Sequence, residues 1–182
     1  MAIWIVLGVV GVLLLAGILV FNRLIALRNR CDNGWSQIDV QLRRRYDLIP
    51  NLVETVRGYA AHERELFENV AEARSRAIGA QGVADQATAE NMITAGLRKL
   101  MAVAEAYPDL KANQNFLALQ EELTSTESKI AFARQFYNDQ VMKLNTLVQS
   151  FPASAVAKLS HVATRSFFDI DDPARGPVGV DF

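Results

Sequence analysis

The chain has 182 residues, with 19 Lys and Arg against 20 Asp and Glu, for a formal net charge of −1. That length accommodates one domain beside whatever the first residues do, and the near-zero charge lacks the basic excess that duplex nucleic acid requires, so no nucleic-acid partner is expected. One cysteine, Cys31, cannot close an internal disulfide.

From Ala2 to Phe21 there is no charge, and the only polar side-chain group is the indole of Trp4. About twenty helical residues at ~1.5 Å each cross the ~30 Å hydrocarbon layer, which predicts a transmembrane helix over 1–22 with the bilayer as first partner. Trp4 and Arg23 fall at its two ends as interfacial anchors. No basic region precedes the stretch, and after Leu15-Ala16-Gly17 stands Ile18 where a lipoprotein would need cysteine, so the segment is expected to stay attached. Arg23, Arg28 and Arg30 all follow it; the positive-inside rule therefore predicts a single pass with the N-terminus outside and the rest in the cytoplasm.

Leu24, Leu27, Cys31, Trp35, Ile38 and Leu42 recur at steps of three and four, the apolar stripe of a first soluble helix. Gly34 is its soft point, and a continuous rod or a slight bend both fit. Ile49 precedes a proline and is pushed out of the α region, so the chain is predicted to turn at Ile49-Pro50, beside Asp47. Pro50 then opens a second helix to about Ala80, striped by Leu52, Val56, Tyr59, Leu66, Val70, Ala73 and Ala77. Gly79 to Gly82 end it. A third helix follows over about 85–106, with Ile93, Leu97 and Leu100 inside, and Tyr107-Pro108-Asp109 breaks it. The fourth runs over about 113–150, capped by Asn113 and striped by Phe116, Leu119, Leu123, Ile130, Ala133, Tyr137, Val141, Leu144 and Val148. Phe151-Pro152 closes it, a short amphipathic piece follows over 153–164, and Phe167-Phe168 pins the tail. The expected architecture is all-α: a transmembrane helix, then an antiparallel up-and-down four-helix bundle of long helices over 23–165, then an extended tail over 166–182.

Catalytic patterns fail residue by residue. His62-Glu63 has Leu66 where a zinc-protease helix needs its second histidine. A di-iron bundle needs Glu-x-x-His, but Tyr59 and Lys158 stand three residues before His62 and His161, the only two histidines. Cys31 lies on the apolar stripe as a small buried thiol. There is no phosphate-cradling glycine loop. A non-enzyme without cofactor or metal is expected. Arg43-Arg44-Arg45 points in three directions on a helix, so it is either a set of ion pairs to Asp39, Asp47 and Glu54 or a docking point. The interaction-surface candidates are Arg43, Arg44, Arg45, Asp47 and Asn51, together with Asp109, Lys111 and Asn115 at the third turn, where helix capping is the plainer explanation.

The segment WSQIDVQLRRRYDLIPNLVETVRGYAAHE, Trp35 to Glu63, resembles the LemA family of small bacterial membrane-anchored helical proteins. The likeness continues through AVAEAYPDLKANQNFLALQEEL, Ala102 to Leu123, and IAFARQFYND, Ile130 to Asp139, to Phe151-Pro152 and Phe167-Phe168, nearly the whole chain. No catalytic residue is established for that family, so none is carried over. The resemblance implies a bacterial membrane anchor, and the expected residence is the inner membrane. The expected function is a non-enzymatic membrane-anchored scaffold or adaptor acting through homo-oligomerisation and protein contacts. The alternative is a regulatory or accessory subunit of a membrane enzyme complex, a quality-control protease or a signalling system, with an unidentified membrane protein as partner.

Overall fold

The computed structural model describes residues 1–170. It is all-α, as the sequence predicts, with no strand among the described residues: α1 (Ala2–Arg57), α2 (Arg64–Gly79), α3 (Gly82–Glu105), α4 (Pro108–Lys111), α5 (Gln114–Gln149) and α6 (Ala153–Leu159). These form two compact units. The first comprises Met1–Asp39 and Ala131–Phe167; the second comprises Val40–Ile130 and, of the described tail, 168–170, and α1 and α5 contribute to both. Of the expected extended tail, 166–170 is non-helical, with Phe168 and Ile170 buried. The rest of it, 171–182, lies outside the described residues.

In the first unit the apolar start of α1 is exposed along its length, and burial sets in abruptly: Phe21 is 42% exposed and Leu24 0%. From there the predicted stripe is realised. Leu24, Leu27, Cys31 and Ile38 are buried on α1, and Ala133, Tyr137, Val141 and Leu144 are buried on α5. The Trp35 ring stands 5.6 Å from that of Tyr137. α1 passes through Gly34 as unbroken helix. A Cβ there would lie 3.2 Å from the Tyr137 Cα, so the missing side chain serves close approach of α5. The Asn145 side chain exchanges two hydrogen bonds with the Arg165 backbone (2.9 and 2.8 Å), and Arg165 pairs with Asp32 at 2.6 Å. The non-helical segment after α6 is thereby tied to both long helices.

In the second unit the turn expected at Ile49-Pro50 is absent. α1 continues through Pro50 to Arg57, and the reversal falls at 58–63. Proline inside a helix removes the bond its N–H would have made to the carbonyl four residues back, at a cost of roughly 3 kcal/mol. That carbonyl belongs to Tyr46, and Arg74 Nε of α2 donates to it at 2.7 Å. Packing supplies the rest: Leu48, Ile49, Leu52 and Val53 are all buried, a phase that only a continuous helix maintains. Tyr59, expected on the stripe, is instead 41% exposed in the reversal. Arg57 closes the hairpin by lying over the Phe67 ring, 5.3 Å from its centroid.

The link to α3 is two residues long and needs Gly82 at φ +82, a left-handed angle that costs glycine little. Asp85 accepts the Gln81 N–H at 2.9 Å and secures the start of α3. Val70 of α2 packs against Gly96 of α3. Asn113 caps α5 as predicted, its side-chain oxygen accepting from the N–H groups of Asn115 and Phe116 at 2.9 and 3.1 Å. The second unit is thus four helical stretches joined by short reversals: α1 from Val40, α2, α3, and α5 to Ile130, with α4 set in the last connection.

Candidate functional site

The charged run on α1 is where sequence and structure diverge most. Arg43 and Arg44 are exposed, but Arg45 is 1% exposed and leaves the proposed surface. Its place on the stripe explains this. Ile38, Leu42, Arg45, Ile49, Leu52 and Val56 step by four and three, so Arg45 occupies a core position. Glu90 does the same on α3, between Gln86 and Ile93, and is 0% exposed.

These two side chains form a buried ion pair, and Arg45 Nη1 also reaches Glu127 of α5 at 2.8 Å. Tyr46 Oη donates to Glu90 Oε1. Gln86 Nε2 lies 2.7 Å from the same oxygen and 2.8 Å from Tyr46 Oη. Glu90, Tyr46 and Gln86 had not been singled out, although a charge on an apolar stripe was the available signal for Glu90. The Glu90 carboxylate is engaged by a guanidinium, a phenol and an amide, and the buried charges of Arg45 and Glu90 neutralise each other. What the cluster can do is hold α1, α3 and α5 in one register; it offers no nucleophile or open ligand position.

The expected partners Asp39, Asp47 and Glu54 give way to others for two of the three arginines. Arg44 pairs with Glu122 of α5 at 2.7 Å with both side chains nearly half exposed, a pair worth at most about 1 kcal/mol. Asp47 and Asn51 are exposed on α1. Beside them runs an open groove of about 360 Å³, lined by Pro50, Val53, Glu54, Arg57, Ala71 and Arg74. Asp109, Lys111 and Asn115 are exposed around the α4–α5 connection, and Asn113 of that connection donates to Tyr59 Oη at 3.0 Å. The reversal at 58–63 and the α4–α5 turn therefore meet. Asn51 lies about 9 Å short of the helix end at Arg57 along the α1 axis.

In the first unit Cys31 is a free, buried thiol. Burial pushes its pKa above the ordinary value of 9.0, opposed in part by the Arg165 guanidinium and reinforced by Asp32. Burial likewise raises the Tyr137 phenol, against the same arginine. Both groups are protonated at neutral pH, and a thiol held neutral in a packed interface is inert.

A long helix bearing a bare apolar stretch, followed by further helices packed around a buried ion pair, defines a membrane-associated all-helical protein. The LemA family profile matches residues 34–182, and the chain belongs to that family. Among curated relatives it is 22% identical to magnetosome protein MamQ 2 of Paramagnetospirillum magneticum and 21% identical to magnetosome protein MamQ of Magnetospirillum gryphiswaldense, over 81% of this chain and 64% of each relative. It is 24% identical to protein LemA of Metamycoplasma hominis, over 75% of this chain and 63% of the relative. The chain thus spans a little less than two thirds of the length of these relatives.

Proposed function

We propose that this chain is a non-enzymatic scaffold or adaptor, fixed in the bacterial inner membrane by one pass of α1 and acting through copies of itself and through protein partners. The observation that carries the reading is the start of α1: an uncharged stretch with side chains exposed throughout, such as Ile3 at 68% and Leu13 at 66%, which water disfavours and a bilayer accepts. The buried charge behind it, Arg45 with Glu90, holds helices together, which supports a binding role over a catalytic one. Exposed apolar side chains on α5, Leu117 in the second unit and Phe132 at 73% exposure in the first, give contacts for self-association. Confinement to the bilayer raises the local concentration of copies and favours such contacts. The family relatives carry names that designate no reaction, and three carry the name of a magnetosome protein.

The test is the mass of the full-length protein in mild detergent with nothing added. A discrete homo-oligomer is expected. A strict monomer would replace the scaffold with the accessory-subunit reading, which the unbroken run of α1 from the apolar stretch to Arg57 favours as a mechanical link.

A further inference from the structure

We infer that the corner between α5 and α6, with Phe151 and Leu159 as its apolar contacts, rests in the headgroup boundary of the same bilayer that α1 crosses, as a second membrane contact of the first unit. The inference builds on the membrane-anchoring reading above.

Height along α1 is the first ground. Tyr137 of α5 lies beside Gly34 and Trp35. Further along α5, Asn145 holds Arg165, which pairs with Asp32 and lines a concave patch with Arg28. α5 therefore runs back toward the apolar stretch of α1. Between Tyr137 and Gln149 it rises about 18 Å, and the same rise from Trp35 back along α1 arrives at Arg23, the residue that ends the apolar stretch. The end of α5 is level with the membrane boundary.

The second ground is the absence of a spacer. Phe21 is 42% exposed and Leu24 fully buried, so packing begins within one turn of the last spanning residue. Whatever forms the near end of the first unit touches headgroups.

The third is chemistry. Phe151 is 89% exposed and Leu159 85%, a placement that water opposes and the acyl boundary accommodates. Lys158, Arg23 and Arg28 are exposed nearby in sequence or height, and cations at that level are drawn to anionic headgroups. Leu159 stands at the end of α6 beside the basic Lys158, the amphipathic pairing of an interfacial contact.

The experiment uses full-length protein carrying Cys31→Ala, with Leu13→Cys, Phe132→Cys, Phe151→Cys or Leu159→Cys added singly. Each thiol carries an environment-sensitive dye, helix content is checked by circular dichroism, and the protein is reconstituted into phosphatidylcholine–phosphatidylglycerol vesicles with or without nitroxide-labelled lipid. Dyes at 13, 151 and 159 should lose most of their emission to the lipid quencher. The dye at 132, about 26 Å back along α5 from its end at Gln149, should keep it. If 13 is quenched while 151 and 159 behave like 132, the corner stands clear of the bilayer and the inference is wrong. Shielding of 151 and 159 from aqueous iodide without lipid quenching would assign the corner to a second copy and overturn it equally. If 13 itself escapes the lipid quencher, the anchoring reading falls first.

Discussion

Arg45 shows how much one side chain decides here. Its guanidinium is desolvated between Glu90 and Glu127, so removing it strands the Glu90 charge in the core rather than merely deleting a contact. Arg45→Met should destabilise the protein by about 3–5 kcal/mol. The double variant Arg45→Met, Glu90→Leu should recover most of that, because no unpaired charge remains in the core and the Glu127 side chain, 41% exposed, is solvated by water. Chemical denaturation of the two variants and of Glu90→Leu closes the cycle, and equal losses in single and double variants would sink the account. Arg44→Glu, one residue away at an exposed pair, should shift stability by no more than about 1 kcal/mol and leave the fold intact. The difference between these neighbours was legible in part: the step of the stripe places Arg45 inward. What the sequence does not show is its partner, since Glu90 lies 45 residues on and only the assembled helices bring it near. Cys31 adds a pH dependence. Its folded pKa is raised, so the unfolded state gives up the thiol proton first, and stability held below about pH 9 drains away as pH rises through the folded value. Between about pH 7.5 and pH 10 the denaturation midpoint of the wild type should fall further than that of Cys31→Ala. Parallel curves would show that the thiol is not the group responsible.

At the scale of elements, most of the fold could be read in advance because apolar side chains recur at helical steps and burial obeys them. Leu24, Ile38, Leu52, Val70, Ile93, Leu123 and Leu144 are all buried where the periodicity places them. Pro50 was the exception, since a local rule about proline lost to packing on both sides of it and to Arg74, a donor from another helix. The distance between Val56 and Leu66 and the glycine at 58 were the weaker signals of the true reversal. This substitution of partners is testable. Pro50→Ala restores the N–H to the Tyr46 carbonyl and relieves the ring clash, so the protein should gain about 1–2 kcal/mol. Arg74→Ala should cost about 1–3 kcal/mol in the wild type and distinctly less in the Pro50→Ala background. Additive effects would mean that Arg74 does not stand in for the missing bond. Gly34 makes a second case at this scale: a leucine there has the Tyr137 backbone against its Cβ, so Gly34→Leu should cost about 1–3 kcal/mol despite its better helix propensity.

For the whole molecule, the direction in which α1 enters the membrane decides which compartment the candidate surfaces can serve. Arg23, Arg28 and Arg30 follow the apolar stretch. Each resists translocation across an energised membrane, so the orientation to be tested keeps the side holding them in the cytoplasm. Ser36 is exposed on α1 in the first unit and reports on that side. In spheroplasts expressing the Cys31→Ala, Ser36→Cys protein, a membrane-impermeant maleimide should leave position 36 unlabelled until the inner membrane is permeabilised. Replacing Arg23, Arg28 and Arg30 by asparagine and adding two lysines after Met1 inverts the bias, and a fraction of the population should then label in intact spheroplasts. All three arginines are exposed, so the exchange acts on insertion rather than on packing. Labelling of the unaltered arginine protein in intact spheroplasts would place Arg44, Asp47 and Asp109 outside the cytoplasm, and the partners to be sought would be those of the opposite compartment.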